Sequence, residues 1–333
     1  MITIATDAPG PLSREQLEQF DRTGYLVAEN LFTDADLQPV IDEITAAIDD
    51  EAARVIDDGE LSRSYDELPF EQRLAAIERE TSRVRGAIGE GSMAGPAFFN
   101  LIRHEPLLDV AAQLCGPELI ASSVYRLRPK LPGLKRGEVP WHQDAGYTEP
   151  YCDKGLMLTV WIPLVDATAD NGCLWVVPGV HRRGILEHAR HRSRGYLVIQ
   201  DEHLPEPEPV CVPVQKGGAL LLTNMTPHAS FENRTDTIRW SMDVRYQSAA
   251  LPTNAPITRL PGEIVSPENR GSANSEDDEA AVPPACYPPE ADFLVRSARR
   301  PDEVVTDPRV FRELREQHLH QPVHNRWQIV VDD

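Results

Sequence analysis

Two short stretches near the middle of the chain carry side chains whose types and spacing could do chemistry. One is Trp141-His142-Gln143-Asp144, and the other is Thr226-Pro227-His228-Ala229-Ser230. Two imidazoles and one carboxylate can hold an iron(II) ion on one face and leave three coordination positions open for reactants. An arginine, Arg239, follows His228 by eleven residues. The rest of the sequence is interpreted as scaffold, lid and pocket for such a site.

The first stretch could supply two ligands from one strand. His142 and Asp144 are separated by one residue, so on a β-strand both side chains would leave the same face. One ion could then meet an imidazole nitrogen and a carboxylate oxygen together. The alternative is chance, because a chain with ten histidines can contain an H-x-D sequence without binding a metal, and a lone histidine is more often structural.

The second stretch is predicted to form a hairpin with the strand that follows it. With a turn centred near residues 233 and 234, His228 would stand directly opposite Arg239. Ser230 would stand opposite Thr237 in the same register. Opposed residues share a face of the sheet, so the histidine and the arginine would face the same space.

The last strand of this hairpin alternates polar and apolar side chains. Its polar residues are Arg239, Ser241, Asp243 and Arg245, and its apolar residues are Trp240, Met242, Val244 and Tyr246. A polar face that carries arginine and histidine together suits a small anion bound beside a metal. The alternative is a salt bridge on a solvated face, either Arg239–Asp243 or Arg245–Asp243.

The first third of the chain is predicted to be mostly helical. A capping box at Ser13 opens the first helix, Gly24 ends it before a short strand, and Thr33 begins the second helix. The remaining helices of this part are predicted at residues 72–88 and 105–114.

From residue 119 onward, short β-rich runs are separated by proline and glycine. The predicted strands lie at residues 119–127, 156–165, 174–177, 196–199, 210–214, 219–222, 228–231 and 238–246. Strands without intervening helices indicate a sandwich or jelly roll rather than a doubly wound sheet. The predicted fold class is therefore mainly β with flanking helices.

We predict one domain over residues 1–333, because no stretch resembles an interdomain linker. Its parts are a mostly helical segment (1–118), a β core with the metal site (119–247) and a C-terminal extension (248–333). Residues 263–290 are rich in proline, serine, asparagine and acid, which is typical of a lid or, alternatively, of a mobile, disordered loop. A last helix is predicted at residues 307–318, and residues 327–331 would return to the body.

Composition limits the kinds of partner. A formal net charge of -20 argues against general nucleic-acid binding, which needs a basic face. No apolar run approaches the roughly eighteen residues that span a bilayer, and the N-terminus shows no secretory signal. The five cysteines form no CxxC pair, which favours reduced thiols in a cytoplasmic protein. The expected partner is a small-molecule substrate, and no pattern indicates an oligomeric state.

Together with further motifs, these stretches give the chain a specific resemblance. From Phe20 to about Gln247 it resembles the phytanoyl-CoA dioxygenase (PhyH-like) family of iron(II)/2-oxoglutarate oxygenases. The matching motifs are residues 20–25, 141–144, 161–166, 171–174 and 178–182, followed by His228, Ser230 and Arg239 at the family's spacing. One departure is Val180, where small hydroxyl residues are common in the family, and it puts no catalytic role in doubt.

The resemblance implies a fold and a ligand set. The fold is a double-stranded β-helix, a cupin-like jelly roll whose open mouth holds the metal. The implied iron ligands are His142, Asp144 and His228. Arg239 would pair with the distal carboxylate of 2-oxoglutarate, which a planar guanidinium can meet with two parallel hydrogen bonds, and Ser230 would bond the same end.

Three further residues are expected at the co-substrate pocket. Trp161 matches a family position that lines this pocket, and Gln143 lies between two of the ligands in sequence. Thr159 shares a strand face with Trp161, so it is expected there as well. Packing in the core is the alternative for Trp161.

The resemblance also implies a reaction. Oxidative decarboxylation of 2-oxoglutarate by O2 at the iron would release succinate and CO2, and the usual outcome is hydroxylation of an unactivated C–H bond. Desaturation, epoxidation and ring rearrangement share this machinery. Halogenating relatives have a small residue in place of the carboxylate, so Asp144 argues against halogenation. The rival classes are a non-oxidative cupin-like metalloenzyme, against which Arg239 and Ser230 argue, and a non-catalytic binding module, against which the intact ligand set argues.

A basic segment in this acidic chain bears on the substrate. Residues 181–194 contain five arginines and three histidines against one glutamate. We hypothesise that Arg182, Arg183 or Arg190 receives an anionic substrate carrying a carboxylate or phosphate; the alternative is pairing with acidic segments of the chain itself. Aromatic residues that could line an apolar pocket, with core packing as the alternative, are Tyr125, Trp141, Tyr147 and Tyr151.

Overall fold

A computed structural model of the chain describes residues 4–88, 93–122, 126–134, 137–148, 150–192, 196–251, 292–318 and 326–331. Some of the sequence-based expectations therefore lie outside the described residues. They concern Tyr125, the side chain of Tyr151, the segment 263–290 and Cys286.

Helices lie before and after a β-rich middle. The α-helices within the described residues are α1 (Arg14–Thr23), α2 (Asp34–Asp57), α3 (Phe70–Glu78), α4 (Arg83–Ile88), α5 (Pro96–Ile102), α6 (Glu105–Cys115) and α7 (Pro308–His318). The strands there are β1 (Tyr25–Ala28), β2 (Leu119–Ser122), β3 (Arg126–Lys130), β4 (Val139–His142), β5 (Met157–Pro163), β6 (Leu174–Val176), β7 (Ala189–His191), β8 (Leu197–Val198), β9 (Val210–Val212), β10 (Ala219–Thr223), β11 (His228–Ser230), β12 (Arg239–Ser248), β13 (Asp292–Arg296) and β14 (Val330–Val331). None of the helices in the described ranges is both long and apolar enough to cross a bilayer.

Reciprocal side-chain caps begin the first two helices where the sequence predicts them. The hydroxyl of Ser13 accepts a hydrogen bond from the N–H of Gln16, whose side chain accepts one from the N–H of Ser13. Thr33 and Asp36 form the same pair at the start of α2, which then runs through Pro39. These caps satisfy donors that would otherwise lack partners at a helix start.

Gly24, which ends α1, ties the N-terminal part to the segment that precedes His228. Its φ of 82° lies in the left-handed region. Its carbonyl accepts hydrogen bonds from the N–H of Thr223 at 3.0 Å and from the hydroxyl of Thr226 at 2.7 Å. A Cβ at this position would lie 2.5 Å from the Thr226 hydroxyl, so the close approach of the two segments requires glycine.

Two antiparallel sheets build the β-rich body. The larger has the strand order β1-β10-β5-β12-β2-β13, with β3 paired to the start of β12. The smaller has the order β4-β11-β6-β9. A third, small sheet joins β7 and β8 to the C-terminal strand β14, which runs parallel to β7. Because spatial neighbours are distant in sequence, site residues reach one pocket from separate parts of the chain.

The prediction of one helix over residues 72–88 is wrong. The chain leaves the helical path after Glu78 and resumes it at Arg83, which gives α3 and α4. Glu80, in the break, accepts a hydrogen bond from the N–H of Ser62 at 2.8 Å. This contact with an earlier loop holds the link between the two helices, and no periodic pattern in residues 72–88 reveals it.

The predicted hairpin between His228 and Arg239 is also wrong, because the two strands lie in different sheets. His228 of β11 pairs with His142 of β4, whereas Arg239 of β12 lies opposite Lys130 of β3. Asn233, between the strands, is fully buried and donates a hydrogen bond to the carbonyl of Lys130 at 2.8 Å. The connection is therefore an anchored crossover from one sheet to the other, not a tight turn.

Strand β12 separates the main core from the polar interior. Its apolar residues, which belong to the core shared with the helices, are Trp240, Met242, Val244 and Tyr246. On the opposite face, Arg239, Asp243 and Arg245 line a pocket between the sheets. The predicted alternation of this strand is therefore confirmed, and it is the two-residue period of the strand that turns the arginines toward the pocket.

Two of the four described cysteines approach each other closely. All four, Cys115, Cys152, Cys173 and Cys211, are free thiols. The Sγ atoms of Cys173 and Cys211 are 3.2 Å apart. A disulfide would require about 2.05 Å, so this contact is not a covalent bond.

Truncation of Met242 tests the assignment of its strand face to the main core. Met242 is 0% exposed. Met242→Ala should lower the free energy of unfolding by about 2–5 kcal/mol, because the cavity left behind adds to the lost burial. Chemical denaturation measures the change. Ile329→Ala is the control, since that side chain is 42% exposed and its loss should change the free energy by less than about 0.5 kcal/mol. An equally small effect of Met242→Ala would contradict the assignment.

Candidate active site

Three buried side chains converge on one point between the sheets. His142 ends β4, His228 begins β11, and Asp144 is the first residue of a short 3-10 helix, Asp144–Tyr147. The Nε2 atoms of His142 and His228 lie 3.8 Å and 4.0 Å from Oδ1 of Asp144. One ligand atom from each residue lies within 4.8 Å of the other two. The three therefore fit a single metal ion bound from one face.

The route by which Asp144 reaches the site differs from the expectation. Strand alternation within β4 does not place it, because the strand ends at His142. The 3-10 turn that follows bends the chain and returns the carboxylate beside the imidazole. The sequence therefore identified the group, but the proposed geometry of two residues on one strand face is wrong.

Backbone carbonyls orient both imidazoles. Nδ1 of His142 lies 2.8 Å from the carbonyl oxygen of Pro140, and Nδ1 of His228 lies 3.0 Å from that of Thr226. Each Nδ1 must carry the proton to donate to a carbonyl, so each Nε2 lone pair faces Asp144. Burial and then the neighbouring His228 hold the pKa of His142 well below its ordinary value, which keeps it in the neutral form that binds metals.

The carboxylate of Asp144 is kept ionised by its surroundings. Burial alone would raise the pKa of Asp144, but Arg245 and the other neighbours of the carboxylate, among them the Thr159 hydroxyl, hold that pKa well below its ordinary value. Arg245 lies 3.4 Å from Oδ1, and the hydroxyl of Thr159 donates a hydrogen bond to Oδ2. Thr159 lines the same pocket as Trp161 and Arg239, as predicted, and its hydroxyl there bonds the carboxylate of Asp144.

Arg239 is a buried cation without an acidic partner among the described residues. It is 1% exposed and lines the same pocket as the three convergent side chains. Its guanidinium carbon lies 5.1 Å from the centre of the Trp161 ring, one nitrogen donates to the hydroxyl of Ser241, and Nε lacks a hydrogen-bond partner. Burial, and then the nearby Arg128, lower the pKa of Arg239 to about 9. Since an isolated buried charge is costly, this arrangement suits a bound anion.

Trp161 and Ser230 stand beside this guanidinium in different ways. Trp161 is buried, its ring packs under Arg239, and its indole Nε1 has no hydrogen-bond partner among the described residues. Ser230 lines the same pocket, and its hydroxyl donates to the carbonyl of Gly172 at 2.9 Å. Both residues therefore occupy the predicted region, and the Ser230 oxygen can still accept a further hydrogen bond.

Lys130 is a second buried basic residue beside Arg239, and it was not among the residues predicted from the sequence. It lies opposite Arg239 in the sheet, and its Nζ donates hydrogen bonds to the carbonyl oxygens of Ser230 and Phe231 at 3.0 Å and 2.6 Å. Burial, and then Arg239, lower the pKa of Lys130 to about 6. The alternation of Arg126, Arg128 and Lys130 along β3 was a signal that could have identified it.

The salt-bridge alternative for β12 is correct in one respect. Arg245 lies 3.3 Å from Asp243, which also pairs with Arg128 at 3.0 Å. These groups face a buried pocket instead of solvent, and Arg239 takes no part in the pairs. The ion pairs are therefore part of the site, and their presence does not argue against it.

Gln143 does not contact the pocket, which corrects its assignment to the co-substrate. Its side-chain amide donates to the carbonyls of Gly184 and Met225 at 2.9 Å and 2.6 Å, and its oxygen accepts from the N–H of Leu186 at 2.7 Å. The whole amide group is engaged with backbone. Gln143 therefore links the turn at residues 184–186 to the ligand-bearing segment.

The aromatic candidates for a substrate pocket lie elsewhere or beside a ligand. Trp141 packs in a separate cluster with Val177, Val180, Ile199 and Ala229, so the core alternative holds for it. Tyr147 meets the ring of His142 edge-on, with the ring centres 5.7 Å apart, and its hydroxyl accepts from the N–H of Leu197 at 3.0 Å. Tyr147 thus supports His142, one of the three convergent side chains.

Within the described part of the basic segment, residues 181–192, no arginine lines the pocket that holds the three convergent side chains. Arg182 forms an ion pair with Asp21 at 2.6 Å, and Arg183 donates to the carbonyl of Glu206 at 2.9 Å. Arg190 lies in β7, which pairs with the C-terminal strand β14. For Arg182, the alternative of an acidic partner within the chain is therefore correct, although the partner is Asp21 of α1.

Known proteins resemble this chain over most of its length. The sequence model of the family described as phytanoyl-CoA dioxygenase (PhyH) matches residues 20–241. The mouse (Mus musculus) phytanoyl-CoA dioxygenase domain-containing protein 1 is 28% identical over 275 residues, which cover 72% of this chain and 91% of that protein. Ectoine dioxygenase of Bordetella bronchiseptica is 26% identical, with 74% of this chain and 78% of that protein covered.

One solved structure bears on the fold alone. It is the apo form of the non-heme monooxygenase ThoJ, which is 22% identical to this chain. The match covers 72% of this chain and 79% of that one, with a TM-score of 0.51. At this level of identity the likeness concerns the arrangement of the strands and helices.

The lowered pKa of Lys130 predicts how stability depends on pH in the protein without ligands. The pKa is about 6 in the folded state against 10.5 for an ordinary lysine. Between these values the unfolded state binds more protons, so this residue makes the free energy of unfolding rise with pH. Lys130→Met should lack this contribution. In urea denaturation from about pH 6.5 to about pH 9, wild type should therefore gain stability relative to the variant.

The matched control is Lys216→Met, which removes a surface lysine paired with Asp34. Its denaturation midpoints should follow those of the wild type at each pH. Parallel pH curves for wild type and Lys130→Met would show that the folded state holds Lys130 with an ordinary pKa.

Proposed function

The chain belongs to the phytanoyl-CoA dioxygenase family, and we propose that it is an iron(II)- and 2-oxoglutarate-dependent oxygenase of a small-molecule substrate. The observation that carries the proposal is the pocket that Arg239 shares with the buried His142, Asp144 and His228. The donor set suits iron(II), and the unpaired guanidinium suits the distal carboxylate of a dicarboxylate. A non-oxidative metalloenzyme would have no need of this buried arginine.

The family implies a double-stranded β-helix, and we propose that the larger and smaller antiparallel sheets are its two halves. In support, the smaller sheet contributes both histidines, through β4 and β11. The facing strands β5 and β12 of the larger sheet contribute Thr159, Trp161 and Arg239 to the same pocket. The fold likeness to ThoJ agrees with this arrangement.

The residues of the chain hold the metal and the co-substrate. The two histidines present Nε2, because their Nδ1–H groups are bonded to backbone, and Asp144 presents a carboxylate oxygen that remains ionised. Arg239 binds the distal carboxylate of 2-oxoglutarate, and Trp161 keeps its guanidinium in place by packing against it. When bound, iron(II) with 2-oxoglutarate and O2 supplies the oxidation of a C–H bond, with release of succinate and CO2. Because all these side chains are buried, the pocket is shielded from bulk solvent.

Among the reactions of this chemistry we propose hydroxylation. Halogenation would require a vacated ligand position, and here Asp144 not only occupies it but is held by Thr159 and Arg245. Hydroxylation needs only that one C–H bond of the substrate is placed beside the metal, which makes the fewest demands on the chain.

A basic cavity next to the metal pocket suggests the class of substrate. It has a volume of about 400 Å³ and shares Arg128, Val139 and Arg239 with the metal pocket. Arg85, which forms an ion pair with Glu78 at 3.0 Å, adds further positive charge, and none of the cavity's lining residues in the described part of the chain is acidic. A cavity of this size accommodates a small organic molecule. We propose that the substrate enters here and carries a carboxylate or phosphate. The arginines of this cavity, instead of Arg182 and Arg183, would then receive its negative charge.

Anaerobic titration with iron(II) and 2-oxoglutarate tests the proposed oxygenase. The wild type should develop the weak visible metal-to-ligand band of 2-oxoglutarate chelated to iron. His142→Ala and Asp144→Ala should abolish the band, because each removes one of three donors. Arg239→Ala should raise the Kd for 2-oxoglutarate about 10- to 150-fold, the equivalent of about 1.5–3 kcal/mol for hydrogen bonds to a charged group.

His203→Ala, which removes an exposed histidine, is the matched control and should retain the band. A wild type that shows no band would overturn the oxygenase proposal. Iron binding that is indifferent to 2-oxoglutarate would instead favour the non-oxidative metalloenzyme.

A second prediction concerns the substrate. In a screen of small metabolites for stimulated succinate release, the active compounds should carry a carboxylate or phosphate. Arg85→Gln should raise their KM about 10- to 150-fold and leave the KM for 2-oxoglutarate unchanged, because it removes a charged hydrogen-bond donor from the cavity only. The double variant Arg182→Ala/Arg183→Ala should behave like the wild type. Active compounds without a negative charge would contradict this assignment.

A further inference from the structure

The C-terminal segment, residues 326–331, contacts the short 3-10 helix that begins with Asp144. Arg326 donates hydrogen bonds from one guanidinium nitrogen to the carbonyls of Ala145 at 3.1 Å and Thr148 at 3.2 Å. The same guanidinium meets both carboxylate oxygens of Asp153, at 3.0 Å and 2.8 Å. Arg326 is thereby fixed in a planar fork and is 11% exposed.

Trp327 adds a second contact with the same helix. Its indole N–H donates to the carbonyl of Gly146 at 2.8 Å, and its ring lies 5.0 Å from that of His188. It also packs against the cluster formed by Tyr147 and Leu197. Tyr147 in turn touches the ring of His142, so this contact reaches a second expected metal ligand.

His188, which lies under the Trp327 ring, contacts the residue that precedes Asp144. Its Nε2 accepts a hydrogen bond from the N–H of Gln143 at 3.0 Å, and its Nδ1 lies 2.8 Å from the carbonyl of Leu186. Burial lowers the pKa of His188 to about 4, so the ring is neutral and can accept at Nε2. A Cβ on Gly146 would approach this nitrogen to 2.9 Å, which shows how tightly the helix is enclosed.

The C-terminal segment is itself paired with strand β7. Val330 and Val331 pair in parallel with Arg190 and His191 of β7. The N–H of Arg190 also donates to the carbonyl of Ile329 at 2.8 Å. These residues lie well beyond residue 241, where the match to the family's sequence model ends.

We propose that residues 326–331, the C-terminal clamp, set the metal affinity of the site by holding Asp144 in place. The two histidines are fixed by strand pairing, whereas Asp144 lies on a four-residue 3-10 helix, which has weaker hydrogen bonds of its own. Its position therefore depends on what holds that helix. Thr159 and Arg245 hold the carboxylate from the inside, and the clamp holds the backbone from the outside. The inference rests on the proposed function in that the bound ion is iron(II).

Arg326 and Trp327 are positioning residues, because their contacts are with Asp153, with backbone carbonyls and with rings beside the expected ligands, and not with the ligand atoms. Loss of groups that orient metal ligands typically costs about 10- to 100-fold in metal affinity. Arg326→Ala removes the carbonyl contacts and the pair with Asp153. Trp327→Phe keeps an aromatic ring and removes the indole N–H that reaches Gly146.

The test is an anaerobic iron(II) titration of the full-length variants at saturating 2-oxoglutarate, followed by the visible band. Arg326→Ala should raise the Kd for iron(II) at least about tenfold, and Trp327→Phe should raise it in the same direction by a smaller factor. Arg326→Lys should recover part of the affinity. The matched control is Arg296→Ala, which breaks ion pairs with Glu105 and Asp109 away from the site and should bind iron(II) like the wild type.

Thermal unfolding of the metal-free proteins separates positioning from general stability. The clamp variants and Arg296→Ala should lose similar amounts of Tm, while only the clamp variants lose metal affinity. Wild-type affinity in Arg326→Ala and Trp327→Phe would overturn the clamp and leave the proposed function intact, as would an equal loss of affinity in Arg296→Ala. Failure of the wild type to bind iron(II) would overturn the proposed function and the clamp with it.

Discussion

Pairing of buried charge is the constraint on which the interior of this protein depends. Arg128, Asp243, Arg245 and Asp144 form a chain of ion pairs with successive separations of 3.0, 3.3 and 3.4 Å. Removal of one member of a buried pair is costly, since it leaves the other charge in a low-dielectric surrounding. Asp144 is at once the end of this chain and one of the three convergent side chains, so the candidate metal site and the ion pairs are linked. Arg239 takes no part in these pairs, which is why the proposed function places an anion beside it.

Strand β12 makes this charged interior compatible with a stable fold. Its apolar residues pack into the main core on one face, while its charged residues line the pocket on the other. A shift of one residue in register would exchange the two faces and bury the arginines in the hydrocarbon core. The apolar side therefore fixes the register, and the register places Arg239 in the pocket and Arg245 beside Asp144. Stability and site geometry depend on the same ten residues.

The site combines rigid and adjustable parts. Strands hold the two histidines, and the 3-10 helix that carries Asp144 is held by contacts from both its sides. Such a helix can be displaced without breaking a sheet, so its position depends on the segments around it. His188 and the C-terminal clamp contact residues 143–148, and the side chain of Gln143 ties this segment to the carbonyls of Gly184 and Met225.

The sequence by itself determined which groups form the candidate site. The order and spacing of His142, Asp144, His228 and Arg239 indicated the family, and the alternation along β12 correctly separated its polar face from its apolar face. Helix starts at Ser13 and Thr33 were also predictable, because caps act within four residues.

Tertiary structure alone decided how these groups meet. Four of the decisive contacts join residues that are far apart in the chain. Strand β11 pairs with β4 instead of β12, and Lys130 lies beside Arg239. The side chain of Gln143 bonds to distant backbone, and Arg326 bonds to the Asp144 helix. Local patterns report which face of an element is apolar, but they carry no information about which distant element will cover it. That choice follows from the packing of the whole chain, in which every buried polar group must find its partner.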